Sequence, residues 1–203
     1  NSVNLSSVQG LSNMDAVVAT GEWSTTTTSN LMELTVHPTA VYVKDGLVTQ
    51  TSMSVLSCIF DRWRGSITYK FVFGASMFVR GKVVIAAVPV QFRDKKLSVN
   101  EIMCFNCVVC DLSEATREFV LEVPYISVAK NSIVCKDSLY DVSSFNSDMV
   151  VTRLHAIILD PLVMSANANN KIEYYVTMQP GKDFELIDLA GVKSESVDRT
   201  LSQ

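Results

Sequence analysis

Residues 66–73, Ser-Ile-Thr-Tyr-Lys-Phe-Val-Phe, alternate without a fault. Ile67, Tyr69, Phe71 and Phe73 fall on one side, and Ser66, Thr68, Lys70 and Val72 on the other. A strand turns successive side chains to opposite faces, whereas a helix would scatter these four large apolar residues around its circumference. The stretch therefore predicts a strand with one face in a core and the other toward water. With 203 residues, 48% of them apolar, the chain can build one all-β domain around a sizeable core.

Further strand signals follow in order. Residues 31–36 stop at His37-Pro38, since proline cannot donate to a central ladder. Residues 82–90 are apolar on both sides, Val83, Ile85 and Ala87 one way and Val84, Ala86 and Val88 the other, so both faces must be covered. Residues 117–123 alternate again, and 149–159 and 172–178 complete the set. Two helices are expected between strands. One spans 52–63, with Ser52 as N-cap and Gly65 just past its end. The other opens at the capping box Ser98-Val99-Asn100-Glu101. The Ser-, Thr- and Asn-rich residues 1–30 read as an extended arm, with a short strand at 15–20. Many strands without a βαβ rhythm predict an antiparallel β-sandwich. The expected organisation is an arm at 1–30, the sandwich at 31–187 and a tail at 188–203.

Only 19% of the residues are charged, and the formal net charge is −4. Sparse charge suits a subunit buried among neighbours. The acidic balance excludes a free nucleic-acid binder of the usual basic kind. The nearest thing to a basic stripe is Arg62, Arg64, Arg80, Lys82, Arg93, Lys95 and Lys96, expected as solvated strand ends and turns. No apolar run approaches a membrane span. Five cysteines, an odd number without a signal peptide, point to reduced thiols in a cytosolic setting. A chain beginning at Asn1 rather than Met is expected to be a processed product or a trimmed one.

Catalytic and metal motifs are weak throughout. Cys104, Cys107 and Cys110 have the spacing that opens a ferredoxin-type cluster site, but Glu114 stands where a fourth cysteine belongs. On a strand, 104 and 110 share a face and 107 points away, so the three are expected to be core thiols. His37 and His155, the only histidines, lack zinc-spaced partners. Asp183 and Glu185, flanking Phe184, read as a solvated rim. There is no nucleophile elbow and no phosphate loop. Asn4-Leu5-Ser6 matches a glycosylation sequon by chance. No catalytic, cofactor-binding or metal-binding residue is expected, and no cofactor.

Four segments in order resemble the capsid proteins of picornavirus-like viruses: residues 63–73 with 74–77, residues 81–86 leading to Pro89, Val123-Pro124-Tyr125-Ile126-Ser127, and Gly181-Lys182-Asp183-Phe184-Glu185-Leu186. The resemblance runs from about residue 31 to 187. It implies an eight-stranded antiparallel jelly-roll β-sandwich with two short helices in the connections. Its template places a helix at 52–63 and the fourth to last strands at 65–73, 80–89, 104–111, 117–124, 149–160 and 170–180. It implies a structural coat protein, not an enzyme, that assembles with other capsid protein subunits, like and unlike, into a small icosahedral shell. Genomic positive-strand RNA would be a weak and non-specific partner, with no membrane partner. The expected location is the virion, and the host cytoplasm during assembly. Short length and the missing N-terminal glycine look most like the small coat proteins of plant secovirids, of the cheravirus and torradovirus kind, with insect dicistroviruses and iflaviruses as alternatives. The ending Leu201-Ser202-Gln203 suits release from a polyprotein. The rival from another class is a non-viral β-sandwich binding module, a lectin-like or cytokine-like trimer, since architecture alone does not fix function.

Overall fold

A strand that is apolar on one side must lay that side against another layer. The chain does so by stacking two four-stranded antiparallel sheets. A computed structural model describes residues 15–44, 47–92, 95, 97–127, 129–134, 152–165 and 170–190. Its strands are β1 (Ala16–Ser24), β2 (Asn30–Val36), β3 (Val41–Lys44), β4 (Leu47–Gln50), β5 (Phe60–Arg64), β6 (Ile67–Phe73), β7 (Arg80–Pro89), β8 (Asn106–Asp111), β9 (Glu118–Val123), β10 (Ser132–Ile133), β11 (Thr152–Val163), β12 (Lys171–Pro180) and β13 (Glu185–Leu189). The helices are α1 (Ser52–Ser57) and α2 (Val99–Ile102).

One sheet has the order β1-β12-β6-β9 and the other β2-β11-β7-β8. The chain crosses from sheet to sheet at most of its connections, which makes the sandwich a jelly roll. A small third sheet, β10-β5-β13, and the hairpin β3-β4 are added to it. The core lies between the large sheets. Ile67, Tyr69, Phe71 and Phe73 are all buried there, as the alternation requires. Phe71 lies between Val176 and Phe119 in the ladder. The Phe73 ring meets Trp23, Phe119 and Tyr174 at centroid distances of 6.1, 6.1 and 5.9 Å.

The doubly apolar strand at 82–90 is the central β7. Val83 and Ile85 enter the main core, while Val84, Ala86 and Val88 form a second, smaller one with Ile102. Phe92, Leu97 and Phe105, from the connection that carries α2, close that second core. The capping box is present as expected: Ser98 N donates to Glu101 Oε2 at 2.8 Å, and the Ser98 side chain accepts from Glu101 N.

Three sequence expectations are corrected. The helix expected at 52–63 ends at Ser57, and its N-cap is Thr51, whose Oγ1 accepts from Ser54 N at 2.9 Å. The chain then runs straight into β5, where Trp63 pairs with Ser132 and Leu186. Phe60 and Trp63 sit at helical spacing, but sheet partners from distant sequence hold them in a strand. Second, Ala16–Ser24 of the expected arm pairs with β12 along its length, and Trp23 is fully buried. The short strand expected at 15–20 thus extends to Ser24, because Val18 and the large indole of Trp23 supply burial that the Thr-rich stretch lacks. Third, β13 runs to Leu189, past the expected end at 187. Residues 1–14 and 191–203 lie outside the described residues.

Candidate functional surfaces

The residues with the most chemical potential turn out to be engaged in the fold. Cys110 is fully buried in the main core, and burial pushes its thiol up to about 12. Cys107, on the opposite face of β8, packs on the second core. Cys104 precedes the strand, in the turn after α2, where its Sγ lies 3.3 Å from the Asn100 carbonyl oxygen. The expected shared face of 104 and 110 is therefore corrected, because the strand begins only at Asn106. The opposition of 107 and 110 is as the pleat demands, so the triplet does not converge. Among the described residues, no group of His, Cys, Asp and Glu could hold a metal ion. Cys135 lies outside the described residues.

His37 is buried at the end of β2, with its ring edge-on to Trp63 at 5.8 Å. Thr39 N donates to its Nδ1 at 3.2 Å, so the proton of the neutral ring sits on Nε2, which faces the Ile133 carbonyl at 3.5 Å. Burial lowers its pKa to about 4. His155 is half-buried in β11. Desolvation lowers its pKa, and its Nε2 is 4.0 Å from Glu33 Oε1. The His37 ring thus serves packing and hydrogen bonding, and the His155 ring lies in the sheet beside Glu33.

The two most distant segments of the capsid resemblance meet in space. Asp183 Oδ1 accepts from Ser66 N at 2.8 Å and from the Ser66 hydroxyl, which holds the Asp183 carboxyl below its usual range. Glu122 Oε1, 2.8 Å from Ser66 Oγ, is an alternative acceptor for the same hydroxyl proton. Arg64 Nη2 lies 2.6 Å from Glu185 Oε2. Gly181 N donates to the Ser66 carbonyl at 2.9 Å. Gly65 has φ +100, and a Cβ there would strike the Asp183 backbone, so only glycine lets the two segments cross. Asp183 and Glu185 are both exposed, as a rim is, while Asp183 ties the turn after β12 to Ser66 ahead of β6 and Glu185 on β13 holds Arg64 of β5.

The described members of the basic set, expected as solvated strand ends and turns, do not assemble into a stripe. Arg62 and Arg64 lie on β5 beside Asp188 and Glu185. Arg80 and Lys82 lie at the other end of the roll, where Lys82 pairs with Asp111 at 3.1 Å. Lys95 lies over the Phe92 ring. Arg93 and Lys96 are outside the described residues.

The remaining feature is a surface that no sequence pattern reveals. The described connecting residues 25–29, 74–79, 112–117, 164–165 and 170 leave the strands at one end of the roll, because Ser24 pairs with Lys171, Tyr174 with Phe73, Val72 with Glu118 and Lys82 with Asp111. Thr25 N donates to Asn170 O, Gly74 N to Glu173 O and Phe73 N to Arg117 O. Met77 and Phe78 stand at the tip of the 74–79 turn, 79% and 74% exposed. No apolar periodicity marks this pair, so burial patterns could not have flagged it.

The likeness to known proteins agrees with this geometry. The family model for picornavirus capsid protein matches residues 10–154. The genome polyprotein of rice tungro spherical virus, strain Vt6, is 57% identical over 187 residues, 92% of this chain and 5% of that polyprotein. The polyprotein of deformed wing virus is 28% identical over 136 residues, 66% of this chain and 5% of the polyprotein. The chain thus spans about one-twentieth of these relatives. Among solved structures, one of black queen cell virus matches with TM-score 0.77 at 18% identity, covering 92% of this chain and 76% of that one. The empty capsid of Triatoma virus matches with TM-score 0.76 at 20% identity, covering 93% and 77%. At such identities these two likenesses speak for the fold alone.

Proposed function

The chain belongs to the picornavirus capsid protein family, and from that premise we propose that it is a structural subunit of a small icosahedral shell, packing against like and unlike coat subunits around positive-strand RNA. The observation that carries this reading is the family match laid over a jelly roll of two interleaved four-stranded sheets. The high identity to a plant virus polyprotein supports a plant virus source and disfavours a lectin-like or cytokine-like trimer.

The function so read is complementarity of surfaces. A sandwich whose turns gather at one end is a wedge, and wedges pack around an axis without any reacting group. The domain has no part in catalysis, because its histidines, buried thiol and clasped carboxylates are all engaged in holding the fold. RNA is touched weakly and without sequence preference, since Arg62, Arg64, Lys70, Lys82, Arg153 and Lys171 pair with nearby acids and the described basic residues form no stripe. No described helix is long and apolar enough to cross a membrane. The subunit resides in the virion and is assembled in the host cytoplasm.

Co-expression with the neighbouring products of the same polyprotein, followed by negative-stain microscopy, tests the proposal. Closed isometric particles containing this chain are expected. Soluble trimers alone, with no particles under any assembly condition, would overturn it in favour of the binding module.

A further inference from the structure

Large apolar side chains scattered singly on a surface are ordinary. Met77 and Phe78 differ in how they are presented. Val79 N donates to the Ser76 carbonyl at 3.2 Å, closing a turn with these two residues at its tip. Arg117 Nε donates to the Ala75 carbonyl at 3.2 Å and Nη2 to the Ser76 carbonyl at 3.1 Å. Its Nη1 donates to the carbonyls of Thr116, at 2.8 Å, and Glu114. Here the acceptors at the base of the turn are already satisfied, so the tip can leave water without stranding them.

Charge points to the occupant. Among the described connecting residues 25–29, 74–79, 112–117, 164–165 and 170, the only charged ones are Glu114 and Arg117, and Arg117 is spent on backbone carbonyls. At the flanking strand ends Glu22 pairs with Lys171 and Lys82 with Asp111, and the exposed Arg80 and Glu118 offset one another in net charge. A surface for RNA or for acidic lipid headgroups would carry a cluster of basic residues in excess over acids, and this one has none. A surface that recurs around a symmetry axis meets its own charges at every turn, and near-neutrality avoids that repulsion. Building on the coat-protein reading, we propose that the Met77–Phe78 turn is an apolar anchor seated against the loop end of the adjacent coat subunit. Arg117 is its positioning residue.

The experiment uses the full chain co-expressed with its sibling coat proteins. Met77→Ser/Phe78→Ser should lower the yield of closed shells by roughly tenfold or more, as loss of a packed anchor does. The urea midpoint of the isolated subunit should stay unchanged, because both side chains are exposed. Arg117→Ala should lower shell yield and also speed amide exchange at 74–79, which the double variant should not. Arg117→Lys should not rescue it, since an ammonium cannot span two carbonyls as the planar fork does. Shells of the double variant at parental yield would overturn the anchor. Flotation of the parent with phosphatidylcholine vesicles, lost in the double variant while its shells are unimpaired, would assign the tip to a membrane instead. Failure of the parent itself to form shells with its siblings would sink the coat-protein reading, a separate outcome.

Discussion

The two large sheets solve the same problem of burial in different ways. In the sheet of β6, β9 and β12, alternate residues are buried and the outer face carries Glu173, Glu118 and Glu122, the Lys70–Asp15 pair at 2.6 Å and the half-exposed Tyr175 and Val120. In the opposite sheet, β7 is buried on both faces from Val83 to Val88, and the chain between β7 and β8 folds back to cover the outside. One sheet uses water as its second layer; the other builds a second layer from its own connection. A strand can therefore show perfect alternation or none within a single domain, depending on what lies over its outer face.

The sharpest way to break the contrast is in the shared core. Phe71→Ala removes a ring buried between Val176 and Phe119, and should cost about 3–5 kcal/mol in urea unfolding. A loss below about 1 kcal/mol would mean that the sheets are not held by this layer.

The seam between the sheets can be probed by pH. The folded chain holds His37 neutral down to about 4 against an ordinary 6.5, so between those values the unfolded chain binds the proton and the folded chain does not. Stability contributed by His37 is full above about pH 6.5 and should fall by about 3 kcal/mol as the pH drops toward 4. The measurement is urea stability as a function of pH. His37→Gln should flatten that slope whatever it does to the plateau, and an unchanged slope would assign the acid response elsewhere. Asp183 and Glu101, whose folded pKa values are lowered, contribute a loss that continues below the His37 window.

The second core should be the weaker of the two. Ile102→Ala, at the buried side of α2, is expected to cost about 2 kcal/mol, near the low end for a buried aliphatic truncation because the small cluster can relax. Ser98→Ala, which removes the cap, should cost about 1 kcal/mol. If Ile102→Ala proved as costly as Phe71→Ala, the two layers would be energetically one. At the bottom of the scale, Val120→Thr on the open face should lie within about 0.5 kcal/mol of the parent by thermal melting.

Much of this architecture is legible in short stretches of the chain. Residues 66–73 announce β6 through side-chain period alone, and the capping box at Ser98 announces α2, because both signals are local. Strand β5 is not legible in that way. Phe60 and Trp63 fit a helix by spacing, and their strand state depends on Leu186 and Ser132, far away in sequence. The hairpin β3–β4 also escapes notice, since its exposed Val43, Leu47 and Val48 carry no one-sided pattern. The cysteine triplet is half legible: its failure to converge follows from the pleat, but the place of Cys104 does not, because a helix end decides it.

An all-β sandwich, its order of strands and, through the glycines and the Asp-Phe-Glu segment, its capsid kinship all follow from the residues read in order. They rest on period, capping and motif order, which short segments carry without help from the rest of the chain. Other features exist only once the chain is folded: Ser66 and Asp183 become one clasp, Trp23 draws the supposed arm into the roll, and four nearly uncharged connections leave the strands at one end, with Met77 and Phe78 at a tip. Each of these depends on strands paired across most of the chain's length, and no local pattern specifies what lies opposite.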